Sequence, residues 1–540
     1  MGKKLISLLV IVVLIVALGG CDGVTLTGGT DKTQYRTEEA VTLPMGNVTT
    51  LNPIASNDED TYFISKLIYD SLFVLDGTMT PQKSLAKDYV VDQKNGTVTI
   101  DLVNTSWHDG RPFTGRDVAF TVKAYQRMGS NSQYSTLIDR IDDVEVEGDQ
   151  RIVIHFDSKT RMSMNILTFP VVPEHAFEKG GKALEPDVDF VPVGTGQYAC
   201  KSYSKTDKLS LAPNENYFGT KAKNTITFEI IPQRETTYSL LEAGSIALMV
   251  SRDPERKTTI TKKGIKIVDF PSNQVEFLGY NFKSIPKEDK NVRKAIACAI
   301  DSRRIIEECY FNSGMVNDSI FFPGYLGVDT SEETYPFSLD KAAGYLEKSG
   351  YKMEKDGVLK DKNGDPFALR LLVNSDDGPR NASAQIIGED LEKLGIQVTV
   401  QSLNREEYKA ALTSGNFDIF LGGYEFDEQM DMRILLTNEG DNYTGYANNK
   451  VYDMLYEMHS GVSTQDLKRL YTEMKPLLTD ELPYYCILYK TYGGIRAKTL
   501  EGEVTPVWNN YYYGCGTWKS KFELPPEEPK KEKKKDKEKE

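Results

Sequence analysis

Residues 368–431 read ALRLLVNSDDGPRNASAQIIGEDLEKLGIQVTVQSLNREEYKAALTSGNFDIFLGGYEFDEQMD. Three short apolar runs in this stretch predict buried strands, and two segments between them have the apolar spacing of amphipathic helices. We expect strands at 368–374, 396–403 and 417–423, and helices at 383–394 and 405–414 that each stop at a glycine. Strands that alternate with helices over short turns are typical of βαβ units, so the stretch predicts an α/β fold with a parallel sheet.

The last of these strands ends in a cluster of aromatic and acidic side chains, Gly423–Asp431. In open α/β sheets, ligands bind beyond the carboxyl ends of the strands. Glu425 and Asp427 are placed there to receive a cation, and Tyr424 and Phe426 are placed to shield an ion pair from water. The alternative is an acidic loop that is simply solvated.

The chain around this stretch is long enough for two or three domains, with 540 residues. We expect a helix at 61–73, strands at 97–103 and 151–157, and one compact α/β unit from 286 to 490. The net charge of −14 argues against a protein that binds nucleic acid or an anionic membrane surface.

The N-terminus has the composition of an export signal. Two lysines precede an apolar run at 5–18, which is shorter than the ~20 residues that span a bilayer. The run ends in Leu-Gly-Gly-Cys, which resembles the bacterial lipobox and implies cleavage before Cys21 and acylation of its sulfur. We therefore expect a lipoprotein signal peptide at 1–20 and a tether at 21–40. A secretory signal without lipidation is the alternative.

The C-terminal segment and the cysteines match no known functional motif. Residues 525–540 hold seven lysines, six acidic residues and no apolar side chain, which predicts a disordered charged tail. Five cysteines remain besides Cys21, and their spacing matches neither a metal site nor a disulfide framework.

The sequence contains no Walker A loop, no nucleophile elbow and no histidine cluster, so we predict no enzyme, no cofactor and no bound metal.

Nine stretches in order resemble the family 5 extracellular solute-binding proteins, the peptide-binding lipoproteins of ABC importers. These stretches are LNP (51–53), LIYDSLFVLDG with LAKDY (85–89), WHDGRPFTGRDVAF (107–120), VGTGQY (193–198), NENYF (214–218), LLEAGSIALM (240–249), DKNVRKAIACAIDSRRI (289–305), DLEKLGIQV (390–398) and GNFDIFLGGY (415–424). The resemblance extends from about 41 to 518.

This resemblance implies a two-lobed, hinged, periplasmic-binding-protein-like fold of type II with an inserted domain. The segments are lobe I at 41–60, 190–280 and 490–520, the inserted domain packed on lobe I at 61–189, and lobe II at 281–489. The hinge crossovers are expected near 275–285 and 486–495, with Phe277, Tyr280 and Tyr489 close to the ligand.

The resemblance also implies where a ligand would be held. In oligopeptide-binding members, an Asp after a Gly-Trp pair at a strand end takes the amino terminus of the peptide. Here Tyr424 replaces the Trp, Asp427 is the first choice for the anchor and Glu425 the second. Asn47, in the early loop that commonly meets the peptide backbone, completes the expected set.

The function implied is that of a cell-surface lipoprotein, anchored in the cell membrane and facing the extracellular or periplasmic side. It would capture short peptides between its lobes, as a monomer, and deliver them to an ABC permease driven by a separate ATPase subunit. Two alternatives stay open: a receptor that senses a peptide signal, and a binder of another solute, such as a metal chelate or an oligosaccharide.

Overall fold

The structure is a computed structural model, and it describes residues 35–159, 162–177, 184–260, 263–285, 289–317, 319–329 and 332–523. The expected signal peptide, Cys21, most of the tether and the charged tail lie outside the described residues. In the part of the chain that is described, no helix is both long and apolar enough to cross a membrane.

Strands and helices alternate along the described chain. The strands are β1 (Tyr35–Glu38), β2 (Ala40–Met45), β3 (Phe73–Leu75), β4 (Pro81–Lys83), β5 (Ala86–Asp92), β6 (Thr97–Leu102), β7 (Ile141–Gly148), β8 (Arg151–Phe156), β9 (Tyr198–Tyr203), β10 (Lys208–Pro213), β11 (Thr225–Ile230), β12 (Leu248–Ser251), β13 (Lys266–Tyr280), β14 (Gly314–Met315), β15 (Lys352–Met353), β16 (Leu359–Lys360), β17 (Ala368–Asn374), β18 (Gln397–Leu403), β19 (Ile419–Glu425), β20 (Tyr484–Arg496), β21 (Leu500–Glu501) and β22 (Lys519–Glu523). The α-helices are α1 (Glu59–Ile68), α2 (Gly115–Met128), α3 (Ser135–Ile138), α4 (Glu174–Phe177), α5 (Arg234–Ala243), α6 (Arg256–Thr259), α7 (Lys290–Ala299), α8 (Ser302–Tyr310), α9 (Leu339–Lys348), α10 (Gly378–Glu392), α11 (Arg405–Ser414), α12 (Arg433–Leu436), α13 (Asn449–Met458) and α14 (Thr464–Glu481).

The main sheet confirms the predicted parallel unit. Its strand order is β12-β20-β13-β19-β17-β18, and β17 pairs in parallel with both β18 and β19. Helix α11 begins where predicted, because the Asn404 side chain accepts hydrogen bonds from the backbone N–H groups of the first helical turn. Helix α10 begins earlier than expected, at Gly378, because Asp377 caps it and a proline occupies its first turn.

Two long strands, β13 and β20, join the lobes. Before Pro271, β13 pairs with the end of β20 that also pairs with β12. From Gln274 onward it also pairs with β19 on its other edge. The register of the β13–β20 pair shifts between Pro271 and Val275, because proline has no N–H to donate and the bulge absorbs extra residues. The crossover of β13 therefore lies at 271–275, just before the range expected from the sequence, and it faces 489–491 of β20.

Separate sheets make up the other half of the molecule. The order β2-β11-β10-β9 forms a four-stranded sheet within the segments expected to form lobe I. The order β5-β6-β8-β7 forms another within the segment expected to be the inserted domain, and α2 packs against it. The glycine-rich turn VGTGQY leads into β9 and touches the end of α1. A Cβ on Gly194 would lie 1.8 Å from the carbonyl oxygen of Ile68, so glycine is required there by the close approach of two backbones.

The hydrophobic core is continuous across the lobes on one face of the main sheet. One buried cluster joins lobe I, the inserted segment and helices α13 and α14, while a second fills the opposite face of the sheet in lobe II. The described cysteines form no disulfide with one another, and four of them are buried: Cys298, Cys309, Cys486 and Cys515.

Candidate ligand-binding cleft

The acidic end of β19, residues 424–428, is held against the hinge. Phe426 N–H donates to the carbonyl of Asn273 at 3.0 Å, and the Asn273 side chain donates to the carbonyl of Phe426 at 2.5 Å. Asn273 lies in the β13 bulge, so this segment, which we call the acidic tip, is fixed where the polypeptide passes from one lobe to the other.

A cavity of about 390 Å³ lies between the acidic tip and lobe I, and we call it the interlobe cleft. It is concave and lined by both lobes, as ligand sites usually are. Its lining residues are Asn57, Glu59, Tyr62, Phe63, Arg252 and Trp508 from lobe I and α1, Gln133 from the inserted segment, Asn273 and Tyr492 from the hinge, and Glu425, Phe426, Asp427 and Glu428 from the tip.

The charge of this cleft is negative. Its lining contains four carboxylates and one guanidinium, Arg252, among the residues that the structure describes. Arg252 is already paired with Glu59 at 2.7 Å, and its Nε donates to the Tyr511 hydroxyl at 3.0 Å. The cleft therefore favours a cationic group on its ligand.

Asp427 is a half-buried carboxylate that, among the described residues, is bound by neutral donors only. Its carboxylate accepts hydrogen bonds from the backbone N–H and the side-chain amide of Gln429, at 3.0 and 2.9 Å. Burial, and then the charge of Glu428, raise the pKa of Asp427 above its ordinary value, although the bonds from Gln429 oppose the shift. A bound ammonium group would favour the charged form and reverse this shift.

The acidic tip also connects the lobes directly. The Tyr62 hydroxyl of α1 donates to the Glu428 carboxylate, and the side chain of Asn165 donates to the Glu428 carbonyl at 2.8 Å. Burial lowers the pKa of Lys66, one turn along α1, while the Glu428 carboxylate opposes this shift. Glu428 is thus an interlobe contact.

A second cavity of about 300 Å³ lies within lobe II, at the carboxyl ends of β17 and β19, and we call it the basic pocket. Arg380 reaches it from the start of α10, and Arg405 and Lys409 reach it from α11. The Arg380 guanidinium binds the buried Glu276 carboxylate through two bonds of 2.7 and 2.9 Å, and Lys490 contacts the same carboxylate at 3.0 Å.

Four of the seven residues expected at the site line one of the two cavities. Glu425 and Asp427 lie together in the interlobe cleft. Tyr424 and Phe277 line the basic pocket, and the Tyr424 ring packs on that of Phe426 with 4.7 Å between centroids.

The other three expected residues line neither cavity. Tyr280 is fully buried and its hydroxyl donates to the Arg293 carbonyl at 3.1 Å, while the buried Tyr489 donates to the Ile320 carbonyl at 2.6 Å. Asn47 is exposed in the loop after β2. The two tyrosines are packing residues of the hinge strands in this conformation.

Comparisons with known proteins agree with this architecture. The family profile described as "Bacterial extracellular solute-binding proteins, family 5 Middle" matches residues 80–444. The oligopeptide-binding protein AppA of Bacillus subtilis is 24% identical over 527 residues, which cover 92% of this chain and 95% of AppA. The glutathione-binding protein GsiB of Salmonella typhi is 23% identical over 483 residues, which cover 84% of this chain and 90% of GsiB.

Solved structures share the fold. The crystal structure of a nickel ABC transporter from Bacillus halodurans superposes with a TM-score of 0.72 at 18% identity, covering 88% of this chain and 98% of the other. The two-lobed α/β fold predicted from the sequence is thereby confirmed. The matching family consists of proteins that bind solutes for transport, which confirms the prediction that the protein is not an enzyme. The chain belongs to family 5 of the bacterial extracellular solute-binding proteins, the binding components of ABC importers.

Proposed function

We propose that this protein captures short peptides in the interlobe cleft and delivers them to an ABC permease that a separate ATPase subunit drives. The ammonium group of the peptide binds the acidic tip, with Asp427 as the first anchor and Glu425 as the second. The observation that carries the proposal is the pair of carboxylates, Glu425 and Asp427, that line the cleft with no cation paired to either among the described residues.

Binding would draw the lobes together around the peptide. Tyr424, Phe277 and the loop of Asn47 remain candidates for contacts to the ligand, and Tyr280 and Tyr489 would support the hinge strands. A free metal ion is a less suitable ligand, because the described residues contain no group of three His, Cys, Asp or Glu side chains placed to hold one.

We also propose that the protein works as a monomer anchored outside the cell through acylated Cys21. The membership in an extracellular family and the sequence around Cys21 support this location.

The proposal is tested by titration calorimetry with one peptide in free and N-acetylated form. A hydrogen bond to a charged group contributes ~1.5–3 kcal/mol, so Asp427→Asn should weaken binding of the free peptide by roughly tenfold or more. The acetylated peptide should bind the wild type weakly and should be little affected by the substitution. Glu425→Gln should have a smaller effect in the same direction.

Glu354→Gln serves as the control, because Glu354 is an exposed carboxylate of lobe II outside both cavities. Equal preference for the free amine in the wild type and in both tip variants would refute the anchor. Native mass spectrometry of the purified protein tests the ligand class: a ladder of peptide masses is expected, and a single chelate or sugar mass would refute the peptide assignment.

A further inference from the structure

Arg256, in the short helix α6, places a buried guanidinium against the hinge strands. Its side chain is fully buried. Nη2 donates to the Asp269 carboxylate of β13 at 2.6 Å and to the Thr491 hydroxyl of β20 at 2.9 Å. Nη1 donates to the Asp253 carbonyl at 3.0 Å. A buried charge is costly unless it is paired and hydrogen-bonded, and these bonds fix the guanidinium to both hinge strands at once.

This guanidinium lies on the face of the hinge strands opposite to the interlobe cleft. A Cβ on Gly493 would lie 2.4 Å from Nε of Arg256, so the side chain rests directly on the backbone of β20. Asp269 pairs with Gly493, and Thr491 is two positions along the same strand, so all three share one face. The residue between them, Tyr492, points to the other face and lines the cleft.

The segment 253–257, which we call the hinge brace, also contacts the turn that follows α8. The Lys257 ammonium donates to the Asn312 carbonyl at 2.6 Å. The Ser313 hydroxyl donates to the Pro254 carbonyl, also at 2.6 Å. The brace lies in the segment expected to form lobe I, and α8 with its turn lies in the segment expected to form lobe II. The brace therefore connects the hinge strands to the opposite lobe.

The turn after α8 has a backbone conformation that residues other than glycine seldom adopt. The φ angles of Phe311 and Asn312 are 52° and 60°, in the left-handed region where Cβ crowds the backbone. Such a conformation persists only where the surrounding structure holds it. The two hydrogen bonds to the brace help to hold the turn, which presents the Asn312 carbonyl to Lys257.

The brace and the acidic tip make their contacts in the same conformation. On the cleft side, the Tyr62 hydroxyl donates to the Glu428 carboxylate across the lobes. On the opposite side of the hinge strands, Lys257 and Ser313 complete the bonds between the brace and the turn. Both sets of contacts are satisfied at one angle between the lobes, so the loss of either set would let other angles become populated.

We infer that the hinge brace is a positioning element that sets the angle between the lobes at which the acidic tip reaches α1, and thereby sets the affinity for the solute. Arg256 fixes the brace to β13 and β20, and the bonds of Lys257 and Ser313 fix it to the turn after α8. When fewer molecules adopt the binding arrangement, the apparent affinity falls in proportion to the lost population. The inference goes beyond the proposed function, because it concerns the hinge and applies to any solute held in the cleft.

The test uses the double variant Lys257→Met/Ser313→Ala, which removes both hydrogen bonds to the turn and leaves Arg256 in place. In X-ray scattering without ligand, the variant should have a larger radius of gyration than the wild type. With saturating trialanine the two should have the same radius, because the bound peptide restores the arrangement. In calorimetry, the variant should bind trialanine about tenfold more weakly, because it lacks two hydrogen bonds, one of them from a charged group.

Lys266→Met/Ser239→Ala is the matched control. It removes an exposed lysine of β13 and an exposed serine of α5 whose hydroxyl donates within its own helix. The control should have the radius and the affinity of the wild type, and both variants should have its circular dichroism spectrum. An unchanged radius of the unliganded double variant, or a smaller radius with tighter binding, would overturn the inference. If the wild type binds no trialanine, the proposed function fails, while the radii of the unliganded proteins still decide whether the brace sets the angle.

Discussion

Asp70, the second residue after α1, allows a direct test of how burial of a carboxyl group affects the stability of this protein. Its side chain is 8% exposed and has no cation as a partner among the described residues. Oδ2 accepts a hydrogen bond from Thr195 at 2.9 Å, and Oδ1 accepts one from the Tyr217 hydroxyl at 3.0 Å. Burial raises the pKa of Asp70 from 3.8 to about 6, although both hydrogen bonds oppose the shift.

The raised pKa sets the size and the sign of the effect. The gap between 3.8 and about 6, at ~1.36 kcal/mol per pKa unit, corresponds to about 3 kcal/mol. A carboxyl whose pKa is raised in the folded state stabilises that state below pH 3.8, and this contribution is lost as the pH rises through 6. Asp70→Asn removes the ionisation and keeps a side chain that can bond to both hydroxyls.

The variant should therefore gain stability relative to the wild type as the pH rises, by about 2.5 kcal/mol between pH 4 and pH 7. Urea unfolding followed by circular dichroism at pH 4, 5, 6 and 7 measures this difference. Asp142→Asn, at an exposed carboxyl of β7, controls for the removal of one negative charge. A difference between Asp70→Asn and the wild type that stays constant with pH, or that falls as the pH rises, would refute the reasoning.

Two further predictions concern closure and anchoring. Tyr62→Phe removes the hydroxyl that donates to Glu428 across the lobes. Because such a bond contributes ~1.5–3 kcal/mol, the variant should bind the peptide about tenfold more weakly or worse. X-ray scattering should also show a larger radius of gyration for the ligand-bound variant than for the ligand-bound wild type. Weaker binding with an unchanged radius would show that Tyr62 acts only as a ligand contact. Cys21→Ala should abolish incorporation of labelled palmitate and shift the protein from the detergent phase to the aqueous phase, because stable anchoring requires acyl chains; retained label in the variant would place the acylation elsewhere.

Much of lobe II follows from local sequence patterns. The strands and helices between 368 and 425 have apolar residues at the spacing that each element requires, and glycines mark where the helices stop. The earlier start of α10 had a local signal too, since Asp377 precedes Gly378 and a proline. The position of the acidic tip at the carboxyl end of β19 follows from the same pattern.

The residues expected at the hinge show where local patterns stop being sufficient. Phe277 and Tyr280 are three positions apart on β13, and successive side chains of a strand point to opposite faces. Phe277 therefore lines the basic pocket while Tyr280 lies in the second core cluster, on the other face of the sheet. Proximity in sequence did not determine which of the two meets a cavity.

By itself, the sequence determined the α/β class and the parallel unit that ends at the acidic tip, because these depend on spacings within a few tens of residues. It also indicated the family, through nine stretches that follow one another in order along the chain. Only the tertiary structure decided which charges remain available to a ligand. Glu59 neutralises Arg252, and Glu428 accepts a hydrogen bond from Tyr62, whereas Glu425 and Asp427 line the cleft and have no paired cation within the described part of the chain. The partners in such pairs lie up to 366 positions apart, and burial sets the strength of each pair only after the chain has folded.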